Sequence, residues 1–313
     1  MKQRVLRFDG ESLETLKVEA PGPIRWIARS AEWGDLLVGD RGGVIRRDGE
    51  NFRRLDVPSG QNLRCVAISR RNGLGYACGN DGTTLQIKAD VVSDTGFQLR
   101  GNLRRLSWDS TGEELLIVGN EGMAQLVDPQ AKSHRVFGAD THLRSVAWHP
   151  VRRSALVTGN CFRDGIGSLT PSPNLFELDG YSLREISTLE ESNADLTSSS
   201  WSPDGSSCLL AGFEQTWHTP ALFTYSQGRM HVVPWEGPAL FPTACSWNPD
   251  GCYALVGTSA ITADEGVASL YRYSEGSVEK VEDLEGFGVS CIAWGEDGEA
   301  LIACSRSTRA FNS

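Results

Sequence analysis

The stretch Leu143–Trp148 reads LRSVAW, and it occurs six more times along the chain in altered form. The seven copies are IRWIAR from Ile24, LRCVAI from Leu63, LRRLSW from Leu103, LRSVAW from Leu143, LTSSSW from Leu196, PTACSW from Pro242 and VSCIAW from Val289. Their starts lie 39, 40, 40, 53, 46 and 47 residues apart. A repeat of this period indicates one supersecondary unit used many times.

Each copy continues in the same way. A polar turn such as SPDG or NPDG leads into an apolar strand that usually ends in glycine, and then come a third strand and a more polar fourth strand. Short strands bounded by Gly, Asp, Ser and Pro at this spacing are typical of antiparallel meanders. Seven such units predict an all-β fold: a seven-bladed β-propeller of four-stranded antiparallel blades, as a single domain over residues 1–313.

Two repeats carry a more specific signature. Residues 200–205 read SWSPDG and residues 246–251 read SWNPDG, and both resemble the first part of a WD repeat. The resemblance covers nearly the whole chain, although the Gly-His and Trp-Asp signatures of the WD-repeat family are missing. It implies that the start of each innermost strand and the connection between the second and third strands lie on one face, beside a central channel.

The two ends of the chain complement each other. Residues 4–18, with VLRFDG and LETLKV, look like a third and a fourth strand without a first and second, whereas the last repeat has its first two strands and then TRAFNS. Pairing the amino-terminal strands with the last blade would close the ring and remove exposed edges. Either VLRF or TRAFNS can supply the third strand of that blade.

Composition excludes several classes of function. The formal net charge is −10, which argues against a general nucleic-acid or anionic-membrane surface, because phosphate binding needs a basic face. The sequence shows no secretion signal and no apolar run of membrane-spanning length, so we expect a cytoplasmic protein. Six of the eight cysteines lie in apolar strands and are expected to be reduced core residues: Cys65, Cys78, Cys208, Cys245, Cys291 and Cys304.

The second position of the repeat divides the ring into two parts. It is arginine in blades one to four, at Arg25, Arg64, Arg104 and Arg144, which we call the arginine arc, but Thr197, Thr243 and Ser290 in blades five to seven. The residue after the second-strand glycine changes in parallel, from Asp40, Asn80, Asn120 and Asn160 to Phe213, Thr258 and Ser305. Folding each hairpin about its turn predicts that the two positions lie directly opposite each other.

Two interpretations of the arginine arc are compatible. Each guanidinium is expected to bond across the hairpin to its Asn or Asp, because arginines beside apolar strands need partners. Three of the four partners are neutral, so the arc is also expected to present positive charge to a carboxylate or phosphate group.

Longer links between the second and third strands in blades four to six are expected on the same face. Aromatic residues in and beside these links are candidates for an exposed anchor cluster, and the alternative is that each link buries its own aromatic. The candidates are Phe162, Phe213, Trp217, His218 and Trp235, with Phe241 nearby.

No nucleophile, base and orienting residue recur together, and no phosphate-binding glycine loop is present. We therefore expect a non-catalytic propeller without a cofactor. It would bind a protein or an acidic peptide as a scaffold, a monomeric ring within a larger hetero-complex. The alternative is a metal-assisted hydrolase with a site over the channel, built from Asp164, Glu214, His218, Asp264 and Glu265.

Overall fold

A computed structural model of the chain describes residues 3–97, 99–131, 133–160, 174–186, 194–214, 219–235, 240–259, 267–284 and 287–305. These residues form seven four-stranded antiparallel sheets. In six of them the strands follow chain order, and consecutive first strands contact one another around a ring that closes from the last to the first. The predicted seven-bladed β-propeller is confirmed.

Each blade takes its four strands from one repeat, except the last. Blade one contains β3 (Ile24–Ala28), β4 (Asp35–Gly39), β5 (Gly43–Asp48) and β6 (Asn51–Arg54). Blade two contains β7 (Leu63–Ile68), β8 (Gly75–Gly79), β9 (Thr84–Lys88) and β10 (Val91–Asp94). Blade three contains β11 (Leu103–Trp108), β12 (Leu115–Gly119), β13 (Met123–Asp128) and β14 (Ser133–Gly138). Blade four contains β15 (Leu143–Trp148), β16 (Ala155–Gly159), β17 (Leu175–Leu178) and β18 (Leu183–Glu185).

The second half of the ring has longer strands. Blade five contains β19 (Ala194–Trp201), β20 (Cys208–Glu214), β21 (Thr219–Ser226) and β22 (Arg229–Val232). Blade six contains β23 (Phe241–Trp247), β24 (Ala254–Ser259), β25 (Ala268–Ser274) and β26 (Ser277–Leu284). Blade seven combines β27 (Gly288–Trp294) and β28 (Ala300–Ser305) with β1 (Gln3–Phe8) and β2 (Leu13–Leu16) from the amino terminus.

The amino-terminal strands close the ring. β1 pairs antiparallel with β28 over six residue pairs, from Gln3 opposite Ser305 to Phe8 opposite Ala300, and β2 pairs with β1 as the outer strand. The choice that the sequence leaves open is therefore settled in favour of VLRF as the third strand. TRAFNS lies outside the described residues.

The hydrophobic core lies between neighbouring blades. One cluster, for example, joins Leu116 and Val118 of blade three to Val157 and Phe176 of blade four. The tryptophan that ends the motif belongs to this packing, as its register predicts: Trp148 packs in the same cluster and its Nε1 donates to the carbonyl of Ser107 in the preceding blade at 3.0 Å. The indoles of Trp201 and Trp294 make the same bond to blades four and six.

Cysteine behaves as a core residue. The six strand cysteines are buried and free, and burial raises the pKa of each thiol, for example that of Cys65 to about 11. A high thiol pKa keeps the sulfur protonated and weakly reactive. In the described part of the chain no helix is long and apolar enough to cross a membrane.

One turn glycine is held by an inter-blade contact. Gly205 has φ +72°, and a Cβ at this position would overlap the imidazole of His149. His149 Nδ1 accepts the backbone N–H groups of Val151 and Arg152, so its Nε2 carries the proton donated to the Gly205 carbonyl at 3.1 Å. Blades four and five are joined at this point.

Gly205→Ala is expected to destabilise the fold by about 2–4 kcal/mol, because it adds a steric overlap to an unfavourable left-handed backbone. The control is Gly228→Ala, where φ is +79° and nothing lies within 4 Å of the added Cβ; only the backbone cost of about 1–2 kcal/mol applies there. Chemical denaturation of both variants measures the difference. Equal losses would contradict the proposed contact.

Candidate functional site: an arginine chamber at the channel mouth

The arginine arc sits on a backbone irregularity that recurs in all seven blades. In each first strand the pairing register shifts between positions one and three, so that position two is an extra, unpaired residue. The expectation that position two lies directly opposite the residue after the glycine is therefore wrong. A β-bulge re-aims the side chain of its extra residue, and here it occurs at the strand end that borders the channel.

The bulge also changes one assignment in blade six. Trp247 pairs with Ala254 at the start of the second strand, as Trp148 pairs with Ala155 in blade four. In this register Pro242 lies opposite Thr258, whereas Leu143 of blade four lies opposite Gly159. Thr258 therefore takes the place of the second-strand glycine. The equivalent of Asn160 in this blade is Ser259.

The predicted pairing of the arginine side chains is confirmed in all four blades. Arg25 forms two bonds to the Asp40 carboxylate, from Nε at 3.0 Å and from Nη2 at 2.7 Å. In the next three blades Nε donates to an asparagine Oδ1: from Arg64 to Asn80 at 3.0 Å, from Arg104 to Asn120 at 3.0 Å and from Arg144 to Asn160 at 2.8 Å. A neutral amide orients these guanidiniums without cancelling their charge.

Second contacts link neighbouring members of the arc in two places. Nη1 of Arg64 lies 3.9 Å from Oδ1 of Asp40, and Nη1 of Arg144 lies 3.5 Å from Oδ1 of Asn120, in each case reaching the preceding blade. The Asp195 carboxylate is also close enough to Arg144 to act on its charge. The positive charge of the arc is thus partly compensated. It is smaller than a count of four arginines against the single Asp40 carboxylate suggests.

Burial and mutual repulsion act on these guanidiniums. Burial lowers the pKa of Arg64, Arg104 and Arg144, and neighbouring arginines add to this effect; the pKa of Arg104 falls to about 10. All three remain protonated at neutral pH. Burial and neighbouring like charges both make the charged form of a guanidinium less stable. An anion bound among these arginines would stabilise that charged form.

Blades five to seven use the same bulge for a different purpose. The hydroxyl of Thr243 donates to the carbonyl of Val289, the first motif residue of blade seven, at 2.6 Å. Thr197 and Ser290 make equivalent bonds to Pro242 and Ile24. In this half of the ring the position-two side chain joins neighbouring blades, whereas in the other half it presents a cation.

The arc encloses a small chamber of about 190 Å³ at one mouth of the channel. We call it the arginine chamber; its walls are Arg25, Arg64, Arg104, Arg105, Arg144, Thr197 and Ser290. Five of the seven wall residues in the described part of the chain are arginines, so an anion is the ligand class that the chamber can accept.

Sequence reasoning missed Arg105. This residue occupies position three of its repeat, where other blades have Cys65, Ser145, Ser198, Ala244 and Cys291. Its guanidinium carbon lies 3.9 Å from the ring centroid of Trp26, the other large residue at position three, a cation–π geometry. The signal was present in the sequence: two large side chains at a position that is otherwise small.

Arg105 lines both the arginine chamber and a much larger cavity of about 1450 Å³ on the opposite side. That cavity is the wide end of the channel, because position five is small in every blade: Ala28, Ala67, Ser107, Ala147, Ser200, Ser246 and Ala293. Arg105, stacked on Trp26 of the wide end, therefore lies between the two cavities and forms the floor of the chamber.

The aromatic candidates do not form one exposed cluster in the described residues. Phe213 is buried, 4% exposed, with its ring 4.6 Å from that of Phe241, which is also buried. Trp235 is half-buried and packs 4.7 Å from Tyr271. Phe213 therefore follows the alternative expectation, in which the aromatic residue is buried in its own blade. Phe162, Trp217 and His218 lie outside the described residues.

The residues of the alternative metal site are mostly outside the described part of the chain, namely Asp164, His218, Asp264 and Glu265. Glu214 is described and lies at the end of β20, opposite Thr219. Within the ranges that the structure describes, no group of three or more His, Cys, Asp or Glu is arranged to hold a metal ion.

Comparisons with known proteins give a match in structure but not in sequence. No protein-family model and no curated protein matches the chain. Among solved structures, the β-propeller domain of Cps50 (Swd1) from Myceliophteria thermophila is similar, with a TM-score of 0.67 at 12% sequence identity over 91% of this chain and 98% of that one. The chain thus has a β-propeller fold of the kind seen in that domain, reached by a strongly divergent sequence.

Proposed function

We propose that this protein is a non-catalytic β-propeller that binds an acidic peptide segment of a protein partner at the arginine chamber. The observation that carries the proposal is the convergence of five arginines from blades one to four on one chamber at the channel mouth. Arginine presents a planar fork of donors suited to carboxylate and phosphate groups. An acidic segment reaching into the channel mouth would satisfy several of these forks together.

The rest of the ring supports a role in recognition. The ring of blades positions the chamber, and the bulges aim its side chains. The chain has a net charge of −10, so the chamber is a local positive site on an acidic protein, which disfavours general binding to polyanions and favours a defined acidic segment. We further propose that the ring acts as a single-domain, monomeric subunit of a cytoplasmic hetero-complex.

The double variant Arg104→Gln/Arg144→Gln tests this proposal. A fluorescein-labelled deca-glutamate peptide serves as the probe, and fluorescence anisotropy measures its dissociation constant. Loss of two charge-assisted contacts is expected to weaken binding at least tenfold, with a smaller effect on the melting temperature.

The matched control is Arg53→Gln/Arg71→Gln, which makes the same change in net charge at two exposed arginines. It is expected to alter binding by less than about threefold, since exposed charges are screened. Unchanged peptide binding in the chamber variant, together with a lower melting temperature, would show that the arc only stabilises the hairpins.

A further inference from the structure

We propose that the arginine chamber selects a phosphate monoester over a carboxylate, with Arg105 on its floor as the specificity-determining residue. This inference rests on the proposed function and deepens it by naming the anionic group. Three features of the chamber support it: the space inside, the donors of Arg64 and Arg144 that remain available, and the balance of charge.

The size of the chamber fits one compact anionic group. Its volume of about 190 Å³ corresponds to roughly six waters at about 30 Å³ each in the liquid. A phosphate group on a side chain fits in such a space together with several waters, and its oxygens point in several directions. A carboxylate has two oxygens in one plane and reaches fewer of the surrounding blades.

Donors remain available on more than one wall. Arg64 uses Nε on Asn80, and its Nη1 lies at 3.9 Å from Asp40, beyond hydrogen-bond distance. Arg144 uses Nε on Asn160 and makes only a long 3.5 Å bond from Nη1 to Asn120. In these two arginines the asparagine fixes the guanidinium plane through Nε–H, and Nη groups remain for a ligand.

Arg105 supplies the floor with a guanidinium whose orientation is fixed. Its Nη1 donates to the backbone carbonyl of Arg104 at 3.0 Å, and its ring contact with Trp26 fixes the plane of the guanidinium. Its Nε is buried and has no hydrogen-bond partner among the described residues. Arg105 therefore contributes a fixed positive charge to the chamber that it lines, and this charge favours an anion with more than one negative charge.

The charge balance favours a dianion. Among the described residues, five guanidiniums surround the chamber, against the ion-paired carboxylate of Asp40 and the nearby carboxylate of Asp195. A phosphate monoester carries a charge of about −1.5 to −2 at neutral pH and three acceptor oxygens, whereas a carboxylate carries −1 and two oxygens. The phosphate therefore compensates more of the excess and reaches more donors.

The test compares three fluorescein-labelled nonapeptides of identical sequence, with phosphoserine, glutamate or serine at the central position and two glutamates on each side. Anisotropy titrations of the wild-type protein are expected to give a dissociation constant at least tenfold lower for the phosphoserine peptide than for the glutamate peptide. In Arg105→Gln that preference is expected to fall to about threefold or less. Competition with inorganic phosphate separates a site for the free ion from one that needs the peptide.

Two further variants guard against misfolding. Arg53→Gln, with the same change in charge on the outer strand β6, is expected to keep the full preference. Arg105→Lys keeps the cation but loses the planar fork, and it is expected to retain part of the preference. Thermal unfolding of each variant confirms that the ring is intact.

The outcomes distinguish this inference from the proposed function. Equal affinities for the phosphoserine and glutamate peptides, or a phosphoserine preference unchanged in Arg105→Gln, would overturn the inference and leave the acidic-segment proposal standing. Binding of inorganic phosphate without binding of any peptide would support an oxyanion chamber but overturn the proposed function. Binding of none of these probes would overturn both.

Discussion

Phe8→Ala is expected to lower the free energy of unfolding by about 3–5 kcal/mol, the usual cost of removing a fully buried phenylalanine ring. Phe8 ends β1, is 0% exposed and packs edge-on against Trp294 at a centroid distance of 6.4 Å. Its backbone pairs with Ala300 of β28. The substitution therefore opens a cavity at the point where the amino-terminal strand closes the last blade.

Chemical denaturation monitored by tryptophan fluorescence measures this loss. The control is Tyr181→Ala, because Tyr181 is an aromatic residue that is 83% exposed and its removal is expected to change stability by less than about 0.5 kcal/mol. If Phe8→Ala matched this control, β1 would contribute little to the ring, and closure by the amino-terminal strands would be contradicted.

Asp35→Ala is expected to cost about 3–5 kcal/mol, because it removes the anion from a buried ion-pair network. The Asp35 carboxylate is buried, accepts a bond from Arg47 Nη1 at 3.0 Å and lies 3.4 Å from Arg29 Nε. Arg29 in turn pairs with Asp297 of blade seven at 3.0 Å and donates to the Glu299 carbonyl at 2.6 Å. Loss of Asp35 leaves two buried cations short of a partner at the junction of the first and last blades.

The matched control is Asp90→Ala. Asp90 also pairs with two arginines, Arg46 and Arg53, but its side chain is 49% exposed, so a much smaller loss of stability is expected. Denaturation midpoints of the two variants give the comparison. A loss for Asp35→Ala no larger than that of the control would mean that water replaces the missing carboxylate and that the junction does not depend on this network.

Much of the fold follows from the sequence, because each blade repeats the same packing requirement. The period, the alternation of apolar residues and the glycine-bearing turns predict seven four-stranded blades, and the repeated tryptophan is correctly assigned to packing between blades. The third strand of blade seven is not decided by sequence, since both chain ends offer a short segment. The pairing of Val5 with Ala303 settles it.

The candidate site is predicted only in part. The correlation between the arginines and their Asn or Asp partners identifies the correct pairs, but strict alternation of side chains cannot reveal a bulge that adds one residue to the first strand. Arg105 and Trp26 were missed for the same reason: after the bulge, position three no longer keeps the orientation that counting from position one gives it.

The burial of the aromatic residues could not be predicted from their positions in the sequence. Phe213 follows a strand glycine and reads as a loop residue, yet β20 and β21 extend further than in other blades and bury it against Phe241. The difference between the two halves of the ring at position two does not depend on this correction. Blades one to four aim arginines into the arginine chamber, and blades five to seven use hydroxyls at the same bulge to join neighbouring blades.

The central claim is that the arginine chamber binds an acidic segment. The most direct measurement is a titration of the deca-glutamate peptide followed by ¹H–¹⁵N spectra of the arginine Nε–H groups, with assignment by single Arg→Lys substitutions. We expect the signals of Arg64, Arg105 and Arg144 to shift together along one saturable curve, while those of Arg53 and Arg71 stay in place. Saturable binding that moves the outer arginines and leaves the chamber signals unchanged would contradict the claim.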